Sequence, residues 1–191
     1  AGAWIITAYV LAFGGLMLLG GRLGDTFGRK KMFVGGVAAF TLTSLLCGLA
    51  WDPVSLIIGR GLQGASAAVA APTAMALVAT TFAPGKPRNQ AFAVYAAMTG
   101  IGSVAGLIAG GVLTELSWRL VFLINVPIGL LVAVGAIFVL QESQGERLPL
   151  DVRGAVLGTA GCSLVVLAVN EGPGGWLRPI VVVPLVVGIC A

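Results

Sequence analysis

Gly21-Arg22-Leu23-Gly24-Asp25-Thr26-Phe27-Gly28-Arg29-Lys30-Lys31 sets a dense cluster of charge between two apolar runs, Ala3 to Gly20 and Met32 to Ala50. Each run is near the ~20 residues that a helix needs to cross a bilayer. A charged knot between two such runs reads as the turn of a helical hairpin in a membrane. The composition agrees: 58% of residues are hydrophobic, 9% are charged and the mean hydropathy is +1.04, against roughly 25% charged residues in an ordinary soluble domain. Lipid leaves backbone N–H and C=O groups no water to bond, so spanning segments are helices or closed barrels, and the alternation of a barrel is absent here. The expected fold is an all-α polytopic membrane bundle.

Working outward from the knot, seven apolar runs are predicted as spans: Ala3 to Gly20, Met32 to Ala50, Pro53 to Phe82, Gln90 to Leu113, Leu120 to Leu140, Gly154 to Val169, and Leu177 to the chain end. The chain opens at the start of one run and stops inside another, so it is expected to be a piece of a larger protein, and no charged leader with a cleavage site precedes the first run. Cys47, Cys162 and Cys190 fall within runs and lack metal-ligand spacing, which predicts packed free thiols and no metal site.

A net charge of +4 and a pI near 9.4 raise the question of nucleic acid, which the positions of the charges answer. Arg22, Arg29, Lys30 and Lys31 follow the first run, Lys86 and Arg88 follow the third, and Arg147 and Arg153 flank the link between the fifth and sixth. The opposite loops hold Asp52, then Glu115 with Arg119, then Glu171 with Arg178. The positive-inside rule makes the basic loops cytoplasmic and residue 1 external, and no nucleic-acid binding is inferred.

Within the knot, Asp25 and Arg29 are four residues apart, so a first span that continues as helix puts them on one face, where they pair. Gly21, Gly24 and Gly28 leave that face bare for a neighbouring helix, while Lys30 and Lys31 are expected to meet the anionic inner leaflet. The plain alternative is a solvated anchor loop. With Gly21, Leu23, Asp25, Gly28, Arg29 and Lys30 in register, the row resembles the signature loop of the major facilitator superfamily, with Thr26 where the family usually carries a basic residue. The resemblance implies a cytoplasmic gate made by Gly21, Asp25, Gly28, Arg29 and Lys30, which holds two helical halves together while the transporter faces outward.

Arg60 lies about two turns inside the third run, in Leu56-Ile57-Ile58-Gly59-Arg60-Gly61-Leu62-Gln63-Gly64-Ala65. A guanidinium facing lipid costs at least ~2.5 kcal/mol, so an intramembrane arginine faces a bundle interior or a cavity, and Gln63 one turn on shares its face. The row is similar to the superfamily's second motif, which implies proton coupling or a substrate cavity for Arg60 and Gln63; a purely structural arginine bonding carbonyls is the alternative. Pro72 is expected to kink this span. In the fourth run Gly102, Gly106, Gly110 and Gly111 form a ridge without side chains, a packing device that resembles the antiporter motif of proton-driven exporters, with Leu107 where that motif carries proline.

Trp118-Arg119-Leu120-Val121-Phe122-Leu123-Ile124-Asn125-Val126-Pro127-Ile128-Gly129 opens the fifth run. Trp118 suits the interface, Arg119 snorkels, and Asn125 with Pro127 interrupts the helix. The row resembles one typical of fourteen-span drug:proton antiporters, as do Asp151, Gly154 and Leu157, then Asn170-Glu171-Gly172-Pro173 and Gly175-Trp176. This implies an incomplete superfamily bundle: residues 1–140 as most of an N-terminal six-helix half lacking its first helix, 141–152 as a cytoplasmic linker, and 153–191 as two extra central helices.

The resemblance implies a monomeric, multi-pass protein of a bacterial inner membrane that exports small lipophilic substrates in exchange for protons by alternating access. The proton gradient supplies the energy, and no cofactor is expected. Tyr9, Tyr95 and Met98 are weak candidates for lining the cavity. Asp25, Asp52, Glu115 and Glu171 all sit at span edges, so the proton carriers are expected in helices outside this chain. A proton-coupled importer of a small solute in the same fold is the alternative, separated by the direction of transport, with a purely structural membrane protein or an intramembrane enzyme as the remaining classes. An intramembrane enzyme finds no support, since histidine is absent and neither a nucleophile with its base nor an acidic pair is visible, so no catalytic residue is assigned.

Overall fold

A computed structural model describes residues 2–143, 152–171 and 179–190. Among them the elements are α1 (Gly2–Phe27), α2 (Arg29–Gly48), α3 (Pro53–Thr81), α4 (Lys86–Leu116), α5 (Trp118–Leu123), α6 (Asn125–Val139), α7 (Val152–Glu171) and α8 (Pro179–Cys190), with no strand among them. The α1–α2 hairpin, α3, α4 and the α5–α6 pair are long and apolar enough to cross a membrane. The two central runs also fold as helices, but their apolar stretches, Val156–Val169 and Pro179–Ile189, fall short of spanning length among the described residues. Positions 144–151 of the linker, with Arg147 and Asp151, lie outside the described residues, as do Gly172, Pro173, Gly175, Trp176 and Arg178.

Local chemistry ends each helix. Gly28 takes φ 105°, a conformation that side-chain-bearing residues avoid, and so separates α1 from α2. Asp52 accepts a bond from the Ser55 backbone N–H at 3.0 Å, the Ser55 hydroxyl reaches back to the Asp52 N–H, and Pro53 occupies the first turn, together a capping box that starts α3. Those bonds from Ser55 hold the Asp52 carboxyl below the usual carboxylate range. Leu123 ends α5 and Asn125 begins α6, but Ile124 between them keeps helical φ −62° and ψ −27°, so the fifth run crosses as one helix with a local interruption where Pro127 lacks an N–H.

α3 lies at the centre of the packing, against α1 on one side and α2 on the other; α6 and α5 join α2, and α7 joins α1 and α8. Hydrophobic burial drives little association in lipid, and contact depends on close backbone approach. Pro72 sits inside α3 without ending it and lacks the N–H that would bond the Ala68 carbonyl. That carbonyl faces Gly20 of α1 so closely that a side chain on Gly20 would overlap it, and Gly64 meets the Tyr9 backbone in the same way. Thr41, Thr43, Ser66 and Thr73 satisfy their hydroxyls on carbonyls three or four residues back, which lets them sit inside the bundle. The outer faces remain apolar, with Leu42 62% and Phe138 84% exposed, as a lipid-facing surface requires. The result is a multi-pass helical membrane protein.

Candidate functional site

Arg60 is held from several directions. Its Nε donates to the Ile5 carbonyl of α1 at 3.2 Å and its Nη1 to Gln63 Oε1 at 2.5 Å, while Gln63 Nε2 donates to Ser44 Oγ of α2 at 2.7 Å. Gln63 and Ser44 are fully enclosed, 1% and 0% exposed. The guanidinium carbon lies 4.3 Å from the centre of the Tyr9 ring and 5.6 Å from that of Phe122, within range of cation–π attraction. Helices α1, α2, α3 and α5 therefore converge on one cation, and among the described residues no carboxylate pairs with it. Arg60 and Gln63 meet as their spacing predicts, and Tyr9 joins them as a partner of the arginine. Ser44 was missed: one serine in an apolar run carries no sequence signal, and only the α2–α3 contact reveals its bond.

The charged knot makes the ion pair that its spacing predicts, but across a helix break. Arg29 Nε and Nη2 both reach Asp25 Oδ1, at 3.2 and 3.0 Å, but the helix breaks at Gly28 between them, so the pair joins the end of α1 to the start of α2. Gly21 and Gly24 do present a bare face, against Pro72 and Thr73 of α3. Lys30 Nζ donates to the Ile137 carbonyl in the last turn of α6 at 2.8 Å, where a helix C-terminus favours a cation. The opposite arrangement sits beside it. Glu142, just past α6, accepts from the backbone N–H groups of Lys30 and Lys31, each at 3.2 Å, capping α2 where Gly28 has no side chain to do so. A Cβ on Gly28 would stand 2.6 Å from Glu142 Oε1 and push that flexible carboxylate aside, while the positive φ is what requires glycine here. Glu142 also escaped the sequence reading, although a signal exists: a carboxylate just after a helix C-terminus opposes its own helix dipole and so belongs to another helix's N-terminus.

At the other end of the bundle Arg119 Nη2 donates to the Ala50 carbonyl at 3.0 Å and lies over Trp118, whose ring meets Phe122 edge-on at 6.2 Å. Asn125 Nδ2 reaches the Val121 carbonyl at 3.5 Å across the turn, and Pro127 lies in the first turn of α6. Of the remaining candidates, Tyr95 lines a cavity of about 740 Å³ with Phe33, Leu77, Thr81, Leu140 and Ser143, at the end that carries the charged knot. Met98 is 61% exposed on α4. Gly102, Gly106, Gly110 and Gly111 share that helix, and no described residue packs on their ridge. Cys47 and Cys162 are free, and no group of metal-ligating side chains occurs among the described residues.

Residues 1–190 match the model of the Major Facilitator Superfamily. The chain is 57% identical over 181 residues to the uncharacterized MFS-type transporter EfpA of Mycobacterium tuberculosis, covering 94% of this chain and 34% of that protein. It is 46% identical over 188 residues to the puromycin resistance protein pur8 of Streptomyces alboniger, covering 97% and 37%, and 47% identical over 193 residues to the cephamycin export protein CmcT of Amycolatopsis lactamdurans, covering 98% and 40%. The chain thus spans 34–40% of the length of these relatives. With the charged helix junction, the half-buried intramembrane arginine and a match along its whole described length, the chain belongs to the Major Facilitator Superfamily.

Proposed function

We propose that the protein containing this chain exports small lipophilic compounds, antibiotics among them, in exchange for protons. The observation that carries this reading is the Arg60 constellation, a permanent cation half-buried within an apolar span and held by Ile5, Tyr9, Gln63 and Phe122. A charge so expensive to bury is maintained for a function. Relatives named for puromycin resistance and cephamycin export favour outward transport of such compounds over import.

In this reading the basic loops face the cytoplasm of a bacterial inner membrane and residue 1 lies outside. Two helical halves rock about a midplane site, and the protein works as a monomer with the proton gradient as its energy source. The junction of Gly21, Asp25, Gly28, Arg29 and Lys30 is the cytoplasmic gate. Gly102, Gly106, Gly110 and Gly111 are the contact face for a helix of the other half. Tyr95 and Tyr9 line apolar space, which suits substrates recognised by shape more than by polar anchors. Arginine stays protonated, so the proton is carried by a carboxylate elsewhere in the protein, and Arg60 tunes it.

Dye efflux tests the reading. The complete gene is expressed in an exporter-deficient bacterium loaded with ethidium, with and without a protonophore. Export that collapses with the proton gradient is the expected result. Inward movement would establish the importer, and no movement with the protein present in the membrane would rule out broad drug export.

A further inference from the structure

We propose that α5 is the positioning element for Arg60: the Phe122 ring sets where the guanidinium lies, and Arg119 anchors α5 so that the ring stays in place. This rests on the reading of Arg60 as a functional residue. Nothing in the hydrogen bonds of Arg60 involves α5; the link is Phe122, whose ring centre lies 5.6 Å from the guanidinium carbon. Tyr9 supplies a second ring from α1 at 4.3 Å, so the cation is located by two aromatic faces as well as by the Ile5 carbonyl and Gln63.

Phe122 is itself held. Its ring meets Trp118 edge-on and packs against the buried cluster of Cys47, Ala50 and Leu56, the last of which is one turn before Arg60 on α3. Arg119 fastens the start of α5 to the Ala50 carbonyl just beyond α2, a position where helix polarity favours a cation. Leu123 seats at Gly48, where an added Cβ would lie 2.7 Å from Leu123 Cδ2, so α5 and α2 are in direct apposition. Ile124 keeps helical φ and ψ, but Pro127 lacks the N–H that would bond the Leu123 carbonyl, so the six-residue α5 meets α6 at a loosened junction. A tilt of this piece relative to α2 moves Phe122 across the guanidinium while leaving α3 in place. In this way the end of the bundle opposite the charged knot reaches the half-buried arginine.

The test uses the complete protein in the ethidium assay, with initial efflux rates measured against dye concentration at matched membrane abundance. Phe122→Leu keeps an apolar side chain and removes the ring face, and its maximal rate is expected to fall about fivefold. Phe122→Tyr keeps the ring and is expected to stay within about twofold of wild type. Arg60→Lys should change the same parameter as Phe122→Leu, the maximal rate, with little effect on half-saturating dye. Wild-type rates for Phe122→Leu, equal losses for the leucine and tyrosine variants, or a loss confined to dye affinity would overturn the proposal while leaving Arg60 functional. A wild-type rate for Arg60→Lys would instead remove the reading beneath it. Should Phe122→Leu fail to reach the membrane, Arg119→Gln frees α5 from Ala50 and takes its place: slower efflux supports the anchor, and wild-type efflux overturns it.

Discussion

Individual side chains here act through geometry that lysine or alanine cannot copy. Arg60 uses two faces of its planar fork, one on the Ile5 carbonyl and one on Gln63, while its flat surface meets Tyr9. A lysine keeps the charge and loses the fork. Losing one charged hydrogen bond corresponds to about tenfold or more, so Arg60→Lys in the complete protein is expected to reduce transport by at least about tenfold at normal membrane abundance. Wild-type efflux would make Arg60 a packing residue. Asp52 illustrates a different dependence, on pH. Because its folded carboxyl titrates below its ordinary value, its contribution to stability is fully present above the unfolded carboxylate value and is lost as pH falls through the lower folded one. Asp52→Ala is therefore expected to melt at lower temperature than wild type in detergent at neutral pH, with the two curves converging only in strong acid; a pH-independent gap would show that the carboxylate charge is not what matters.

At the scale of elements, helix ends do the joining. The start of α2 receives Glu142 from beyond α6, the last turn of α6 receives Lys30, and Arg29 reaches back across Gly28 to Asp25. Three elements are thus tied at one corner, which is where the proposed gate would transmit movement from α6 to the α1–α2 hairpin. Glu142→Gln removes the charge that the α2 N-terminus prefers, and a shift of roughly two- to fivefold in the ratio of outward to inward states is expected from spin-label distances across the gate. Asp25→Asn should shift the same ratio without abolishing substrate binding. Unchanged populations in both variants would dissolve the gate. The Asp25–Arg29 pair forms as its spacing predicts, although not on the continuous helix that the spacing supposes. The four-residue rule supposes one continuous helix, and the pair forms instead across a glycine at φ 105°. Spacing succeeds likewise within α3, where Arg60 and Gln63 lie on uninterrupted helix.

For the whole molecule, the unequal packing of its helices is decisive. α3 is gripped by α1 and α2, whereas α4 has no buried residue and the ridge of Gly102, Gly106, Gly110 and Gly111 meets nothing described. Residues 1–191 reconstituted alone are expected to give no proton-driven dye movement, because no described spanning segment places a carboxylate inside the bundle to carry a proton. Transport by that polypeptide would refute the assignment of proton carriers elsewhere.

Hydropathy and charge placement by themselves determined that the chain is a helical membrane bundle, which runs are helical, and which arginine lies inside it. They could do so because each follows from transfer of side chains and backbone between water and lipid, a property of residues taken a few at a time. Tertiary structure alone decided what those residues touch. Ser44, Phe122 and Glu142 come from other parts of the chain than the groups they serve, and Lys30 reaches the last turn of α6. Such partners are set by how helices cross and how closely small residues let them approach, and no local spacing encodes that distance.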